Sequence, residues 1–206
     1  YEAFLHEPAT AERFDNLVAY DGKDPVGIGK SLATFSAFAE GVSLYSAFAV
    51  LYSFQMRNLL KGVGQQMKWS VRDESLHSKM GCQLFRHMCS QIPGLKEECK
   101  EHVYDAALTM HNAEMTYISK LFEMGDIEGI TEYDLKHFIK KRTGDKIKEL
   151  GYKAEGKFKF EYDQKSIDKM AWFDHLTGGH THTDFFAIRP TDYSKANEGE
   201  DFEDVW

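Results

Sequence analysis

The 206-residue sequence contains few residues that interrupt helices or cross-link a chain. It has four prolines, and its three cysteines, Cys82, Cys89 and Cys99, form no CxxC pair. Scarce proline permits long helices, because proline removes a backbone donor and breaks a helix interior. Without a paired cysteine pattern, a disulfide framework or a zinc-cysteine site is not expected. Reduced thiols in a cytoplasmic protein are the simplest interpretation.

An excess of positive charge is also absent, since the formal net charge is −8. Nucleic-acid binding depends on a basic face, so nucleic acid is not an expected partner. The first residues show no signal peptide, because acidic side chains come early and no short apolar run follows. The sequence starts at Tyr1 without an initiator methionine. We therefore expect a fragment or a processed chain.

The apolar residues that are present, 42% of the chain, are arranged mainly as helices. Gly and Pro predict a loop over 21–30, and glycines predict a turn over 56–66. The segment KFKFEYD (157–163) predicts a short strand or an extended arm, and a polar tail follows from residue 174. Thr131 is a predicted N-cap and Gly151 a predicted stop. The predicted helices are 2–20, 31–54, 64–91, 96–124 and 131–150, which makes the chain all-α.

The helix predicted over 31–54 carries a single charged residue, Glu40. A helix that is apolar on all sides is either buried or membrane-spanning. Glu40 and five serines disfavour the membrane interpretation, so we predict a core helix and no membrane association. A carboxylate inside such a helix must be paired, protonated or bound to a metal. Taken alone, Glu40 fits a buried acid that meets an Arg or Lys at least as well as it fits a metal ligand.

A second candidate is the pair Glu74 and His77 in WSVRDESLH (69–77). Residues at i and i+3 project from one face of a helix, so both could bind one metal ion. The ExxH pattern is common by chance and usually solvent-exposed. Here the apolar neighbours Trp69, Val71 and Leu76 predict that the helix is buried on more than one side.

Glu40 and the ExxH pair together match half of a dinuclear carboxylate site, in which separate helices supply a lone carboxylate and a Glu-x-x-His pair. Glu40 and Glu74 are 34 positions apart in the sequence, which allows two antiparallel helices to place both side chains at the same height. Oxygen ligands with one imidazole favour iron or manganese over zinc. Asp134 and His137 share the spacing, but surrounding Lys and Arg predict a solvated face. The cluster of His180, His182 and Asp184 allows adventitious metal binding, but a flexible polar loop is the favoured interpretation.

The segments FSAFAEGVSLYSAFAVLYSF (35–54), WSVRDESLH and DFFAIRPTDYSKA (184–196) resemble the small subunit of class I ribonucleotide reductases. The resemblance implies a ferritin-like helical bundle, present only in part, over 1–173 and a flexible tail over 174–206. It also implies a dinuclear iron, manganese or mixed centre that uses dioxygen to generate the radical for reducing ribonucleotides to deoxyribonucleotides.

Within this resemblance Glu40, Glu74 and His77 match metal ligands. Asp73 matches a carboxylate that hydrogen-bonds a ligand histidine on the radical-transfer route, and Tyr193 matches a tail tyrosine that relays the radical. Arg72 is interpreted as a structural ion-pair partner. Leu44 and Phe48 match the apolar pocket around the radical site, although both also suit an ordinary core.

The resemblance further implies binding to the large subunit through the C-terminal tail, where Phe202, Val205 and Trp206 alternate with acids. A homodimer is expected, with contacts from the 31–54 and 64–91 helices. The family's first carboxylate, first ExxH pair and radical-bearing residue would lie upstream of Tyr1. Half the ligand set is therefore expected on a missing segment or a second chain. Another dinuclear oxidase or hydroxylase, or a non-catalytic half-bundle that binds a partner, are the alternatives.

Overall fold

The computed structural model describes the backbone of residues 22–177 and the side chains of residues 22–174. This part of the chain is helical, with an isolated Ile127–Ile130 bridge and no β-strand among the residues described. The helices are α1 (Pro25–Leu32), a π-helix (Ala33–Ser43), α2 (Tyr45–Met56), α3 (Lys61–Gln91), α4 (Leu95–Phe122), α5 (Glu132–Glu149), a 3₁₀ turn (Gly156–Phe158) and α6 (Gln164–Thr177).

The first long element is a nearly continuous rod formed by α1, the π-helix and α2. It begins at Asp24, whose carboxylate accepts hydrogen bonds from the backbone N–H groups of Val26 and Gly27, each at 2.9 Å. Pro25 stands at the first helical position, where its missing N–H costs nothing. The predicted loop over 21–30 is therefore wrong from Pro25 onward, because the Asp-Pro start signal outweighs the glycines that follow.

A short turn reverses the chain between α2 and α3, and Asn58 and Leu60 adopt positive φ there. The predicted turn region was too long, since α3 already begins at Lys61. The next two predicted helices agree with α4 and α5 to within two residues at each end. The predicted N-cap is confirmed, because the Thr131 hydroxyl accepts from the Asp134 N–H. Gly151, with a φ of 89°, ends the turn after α5 as predicted.

The segment after α5 differs from the prediction. Residues 157–163 form no strand: the 3₁₀ turn ends at Phe158 and irregular backbone follows. Helix α6 was not predicted, and it runs across the proposed boundary at residue 174. Its Met170 and Phe173 are almost fully buried. The division of the chain into a bundle and a tail stays a prediction.

The core lies where the rod crosses α3, α4 and α5. Phe173 makes edge-on ring contacts with Tyr45, Tyr52 and Phe138, at centroid distances of 5.4 to 6.3 Å. The Pro25–Met56 rod is long and apolar enough to cross a membrane by length and composition alone. Half of its most apolar window is buried within the bundle.

Candidate metal centre

Glu40 lies in the π-helix Ala33–Ser43, inside the apolar rod. Short π-helical segments often occur at functional sites, since the wider turn re-aims the side chains that follow. Next to Glu40, the Gly41 carbonyl oxygen accepts hydrogen bonds from Arg142 Nε and Nη2 at 3.1 and 3.0 Å. The Arg142 guanidinium also lies 3.3 Å from the ring centroid of Tyr45, a cation–π contact. Helix α5 therefore holds the backbone next to Glu40.

Small residues bring the π-helix close to α3. A β-carbon added to Gly41 would lie 2.6 Å from the Ser78 hydroxyl and 2.6 Å from Lys146 Cε. One added to Gly81 would collide with the Ser36 side chain. Further along, the Tyr45 hydroxyl is 2.7 Å from the Ser75 hydroxyl. As residue numbers rise on the π-helix and α2, those of their partners on α3 fall, so the two elements are antiparallel.

This register places Glu40 beside the ExxH pair. Ligand atoms of Glu40, Glu74 and His77 all lie within 4.8 Å of one another. The spacing along the sequence predicted this convergence. Within residues 22–177 no other set of three or more His, Cys, Asp or Glu side chains is grouped in this way. Two carboxylates and one imidazole within this distance fit the ligand shell of one divalent iron or manganese ion.

The His77 ring lies between two carboxylates of its own helix. Nδ1 is 3.8 Å from Glu74 Oε2, and Nε2 is 3.6 Å from Asp73 Oδ1. Both distances exceed hydrogen-bond length, so the groups are neighbours rather than bonded partners. The nitrogen that faces Glu74 is available as a ligand, while Asp73 is placed to orient the other side of the ring.

The carboxylates influence one another electrostatically. Burial raises the pKa of Glu40, and the negative charges of Glu74 and Asp73 raise it further, while His77 lowers it. Three acidic groups close together favour a bound cation, because a cation offsets their mutual repulsion.

The face of α3 that carries His77 is exposed among the residues that the structure describes. Val71 is buried as predicted, but Trp69 and Leu76 are 37% and 54% exposed, so the prediction of burial on more than one side is wrong for them. Leu44 is exposed as well, which excludes the ordinary-core interpretation for it among the described residues. Phe48 is half-buried and packs edge-on against Tyr45. Nothing within residues 22–177 covers this face.

Two further predictions concern α5 and α3. The stretch around Asp134 is not a solvated face: Asp134 is 4% exposed and is bound by Thr131 and Lys169. His137 Nδ1 accepts from the Asp163 N–H at 2.7 Å. Arg72 is half-buried, and its predicted structural role stays a prediction.

The sequence alone did not identify Arg142 and Tyr45 as neighbours of the site. Arg142 stands in the charged run KKRTGDK, which suggested exposure. Thr143 and Gly144 interrupt that run and are both buried. This uncharged pair was the available signal that one side of α5 faces the protein interior.

Several predicted features lie outside the described residues. They are the helix over 2–20, the cluster of His180, His182 and Asp184, the relay residue Tyr193, and the tail anchors Phe202, Val205 and Trp206.

Comparison with known proteins gives a consistent result. The family model described as ribonucleotide reductase, small chain, matches residues 1–157. A ribonucleoside-diphosphate reductase small subunit of Invertebrate iridescent virus 3 is 31% identical over 179 residues, covering 82% of this chain and 44% of the relative. Its counterpart in Invertebrate iridescent virus 6 is 28% identical over 214 residues, covering 93% of this chain and 58% of the relative. The chain thus spans about half the length of these relatives.

The fold agrees with a solved structure assigned to class I ribonucleotide reductase from Bacillus halodurans. The TM-score is 0.73 at 20% identity, covering 85% of this chain and 62% of the other. At this identity the likeness shows the fold, a ferritin-like helical bundle. Because the family model covers most of its length, this chain belongs to the ribonucleotide reductase small-chain family.

Proposed function

We propose that this chain supplies half of the dinuclear metal centre of a ribonucleoside-diphosphate reductase small subunit, with Glu40, Glu74 and His77 as ligands. The convergence of the three ligand atoms within 4.8 Å, on two antiparallel helices, carries the proposal. The donor set suits iron, manganese or a mixed pair. When bound, the metal pair would supply the reaction with dioxygen that yields the radical for ribonucleotide reduction. The family's soluble members make a cytoplasmic location the natural expectation.

The residues around the ligands would position them. Asp73 lies 3.6 Å from His77 Nε2, so a small side-chain rotation would let its carboxylate accept a hydrogen bond from that nitrogen and fix the ring orientation. Side-chain exposure of Asp73 is 68%, so it can also contact groups on a neighbouring segment, as the radical-transfer role requires. Arg142 and Tyr45 would hold the backbone at Gly41 and thereby the direction of Glu40.

The first experiment measures metal binding. We expect this chain alone to bind Mn²⁺ weakly, because three ligands cannot complete the shells of two ions. Joining it to a segment that carries the family's other carboxylate and ExxH pair should produce two tight sites. In that assembly Glu74→Gln and His77→Ala should each weaken binding at least about tenfold, since each removes one ligand. Free Mn²⁺ in an electron paramagnetic resonance titration gives the readout.

The exposed carboxylate Glu155 provides the control, because Glu155→Gln removes the same charge away from the ligands. Equal weakening by Glu155→Gln would show non-specific charge effects and contradict the proposal. Two tightly held ions on the unassisted chain would contradict the expected half-site.

The second experiment concerns the large subunit, the proposed partner of the tail. Residues 192–206 contain six acids and the apolar anchors Phe202, Val205 and Trp206. Such a segment suits docking by a few apolar side chains into a groove. A peptide of residues 190–206 should compete with the small subunit for the large one, and replacing Phe202 and Trp206 by Ala should abolish competition.

Tyr193→Phe separates binding from radical relay. In the complete subunit this change should leave the affinity for the large subunit unchanged and stop turnover, because phenylalanine keeps the ring and loses the phenol. Normal turnover by Tyr193→Phe would exclude the relay role without affecting the family assignment. The alternative of a non-catalytic half-bundle predicts binding to the partner with no turnover to lose, whether or not Tyr193 is replaced.

A further inference from the structure

A second feature of the structure lies on the side of α3 away from the metal ligands. Ser75, Lys79, Cys82 and Arg86 recur at i, i+4, i+7 and i+11 and so share one helical face. Together with α5 this face borders a cavity of about 470 Å³ that opens to solvent. Four cations line it, Lys79, Arg86, Arg142 and Lys146, against the single carboxylate of Glu149. The proposed metal centre uses none of these side chains as a ligand.

The positive charge of this cavity is only partly compensated. Lys146 pairs with Glu149 at 2.7 Å. Arg142 gives two hydrogen bonds to the neutral Gly41 carbonyl, and Asp174 is a further acid near its guanidinium, on the adjoining surface. Lys79 and Arg86 have no hydrogen-bond or ion-pair partner among the side chains that the structure describes, and both are exposed. In a chain with a net charge of −8, such a concentration of cations is unusual.

The geometry of the cations limits the kind of ligand. Arg142 and Lys146 are held in place by their own contacts, so they provide a fixed positive wall. Lys79 and Arg86 stand about two helical turns apart on the same face, and both side chains are exposed. Several N–H donors around one opening suit the three oxygens of a phosphate group, which accepts charge-assisted hydrogen bonds from Arg and Lys. The Ser75 and Tyr45 hydroxyls also line the cavity, and since they lie 2.7 Å apart and share one hydrogen bond, one of the two O–H groups remains as a neutral donor.

We propose that this cavity between α3 and α5 binds a phosphate group, with Lys79 and Arg86 as its principal contacts and Arg142 and Lys146 as the fixed background charge. Its volume lies in the range of small-molecule sites, which is larger than inorganic phosphate needs. The ligand is therefore either free phosphate or the phosphate of a small organic molecule. This site is separate from the metal ligands and does not depend on the proposed function.

Isothermal titration calorimetry of the chain at low ionic strength tests the proposal, with inorganic phosphate and adenosine diphosphate as separate probes. We expect saturable binding, weakened at least about tenfold in the double variant Lys79→Ala/Arg86→Ala, because charge-assisted hydrogen bonds are lost. Tighter binding of the nucleotide than of phosphate would identify an organic phosphate as the source. Equal affinities would identify free phosphate.

The matched control is Lys153→Ala/Lys165→Ala, which removes two exposed cations that do not line the cavity. It should bind both probes as the unmodified chain does, and circular dichroism should show the same helicity for both double variants. Absence of saturable binding to the unmodified chain would overturn the proposal. Equal weakening in the control, or unchanged binding in the Lys79/Arg86 variant, would also overturn it.

Discussion

His111 on α4 is a histidine enclosed by the core, with 8% of its surface exposed. Its ring lies 4.6 Å from the ring of Phe160, and its Nδ1 is buried without a hydrogen-bond partner among the described groups. Burial, assisted by the positive charge of Lys140, lowers its pKa from 6.5 to about 4. The folded protein therefore holds this ring neutral where the unfolded chain would protonate it.

This difference makes stability depend on pH. A lowered pKa in the folded state favours folding above pH 6.5, and that contribution is lost as the pH falls toward 4, since the unfolded state then binds the proton more readily. This difference in proton binding lowers the free energy of unfolding by roughly 2 kcal/mol between pH 7 and 5. Urea unfolding at both pH values should show His111→Gln with a correspondingly smaller pH dependence than the unmodified chain.

The exposed His87 on α3 supplies the control. His87→Gln should keep the pH dependence of the unmodified chain. The quantity to compare is the change in the free energy of unfolding with pH, rather than its value at one pH. This comparison separates the effect of His111 protonation from any loss of packing that His111→Gln causes. An unchanged slope in His111→Gln would show that another group is responsible.

At the scale of elements, the decisive contact is the close crossing of the π-helix and α3. Gly41 and Gly81 lie at this crossing without side chains, opposite Ser78 and Ser36. Larger residues would separate the helices and move Glu40 away from His77. The packing that stabilises the bundle thus also sets the separation of the ligands.

A pair of glycine substitutions measures this crossing. Gly41→Ala should lower the free energy of unfolding by about 1–3 kcal/mol, because its methyl group would lie 2.6 Å from Lys146 Cε and from the Ser78 hydroxyl. Gly62→Ala, near the start of α3, has nothing within 4 Å and should raise it by about 0.5–1 kcal/mol through helix propensity. Urea titrations give both values. Similar effects of the two substitutions would show that the crossing tolerates a larger separation.

The sequence predicted those elements in which local pattern and tertiary packing agree. The rod, α3, α4 and α5 were predicted as long helices, although the rod and α3 begin earlier than predicted, and the ligand spacing follows from helix geometry. It missed α6, whose apolar residues become informative only once Phe173 meets Tyr45, Tyr52 and Phe138. It also misjudged Asp134, because a carboxylate buried by capping and by Lys169 looks like a surface acid in a charged run.

At the scale of the whole molecule, the main feature is an exposed apolar face on α3 and the rod. On α3 the large apolar side chains Trp69, Leu76, Met80 and Leu84 are 37–58% exposed and flank Asp73 and His77 on one side of the helix. Phe35, Leu44 and Leu51 of the rod are also exposed. Exposed apolar patches of this extent mark surfaces that another protein segment covers. The open half of the proposed metal site lies on the same surface.

We expect this chain alone to associate into at least a dimer through that face, because association removes apolar area from water. Light scattering at micromolar concentration should give a mass of at least twice 23.7 kDa. The double variant Leu76→Glu/Met80→Glu should shift the mass toward the monomer, since charged side chains resist burial in the contact. Met124→Glu, at a fully exposed position in the α4–α5 connection, should leave the mass unchanged.

A monomeric unmodified chain would show that this face does not drive association at micromolar concentration. A dimer that persists in Leu76→Glu/Met80→Glu would place the contact elsewhere and leave the half-site face free for the missing ligands.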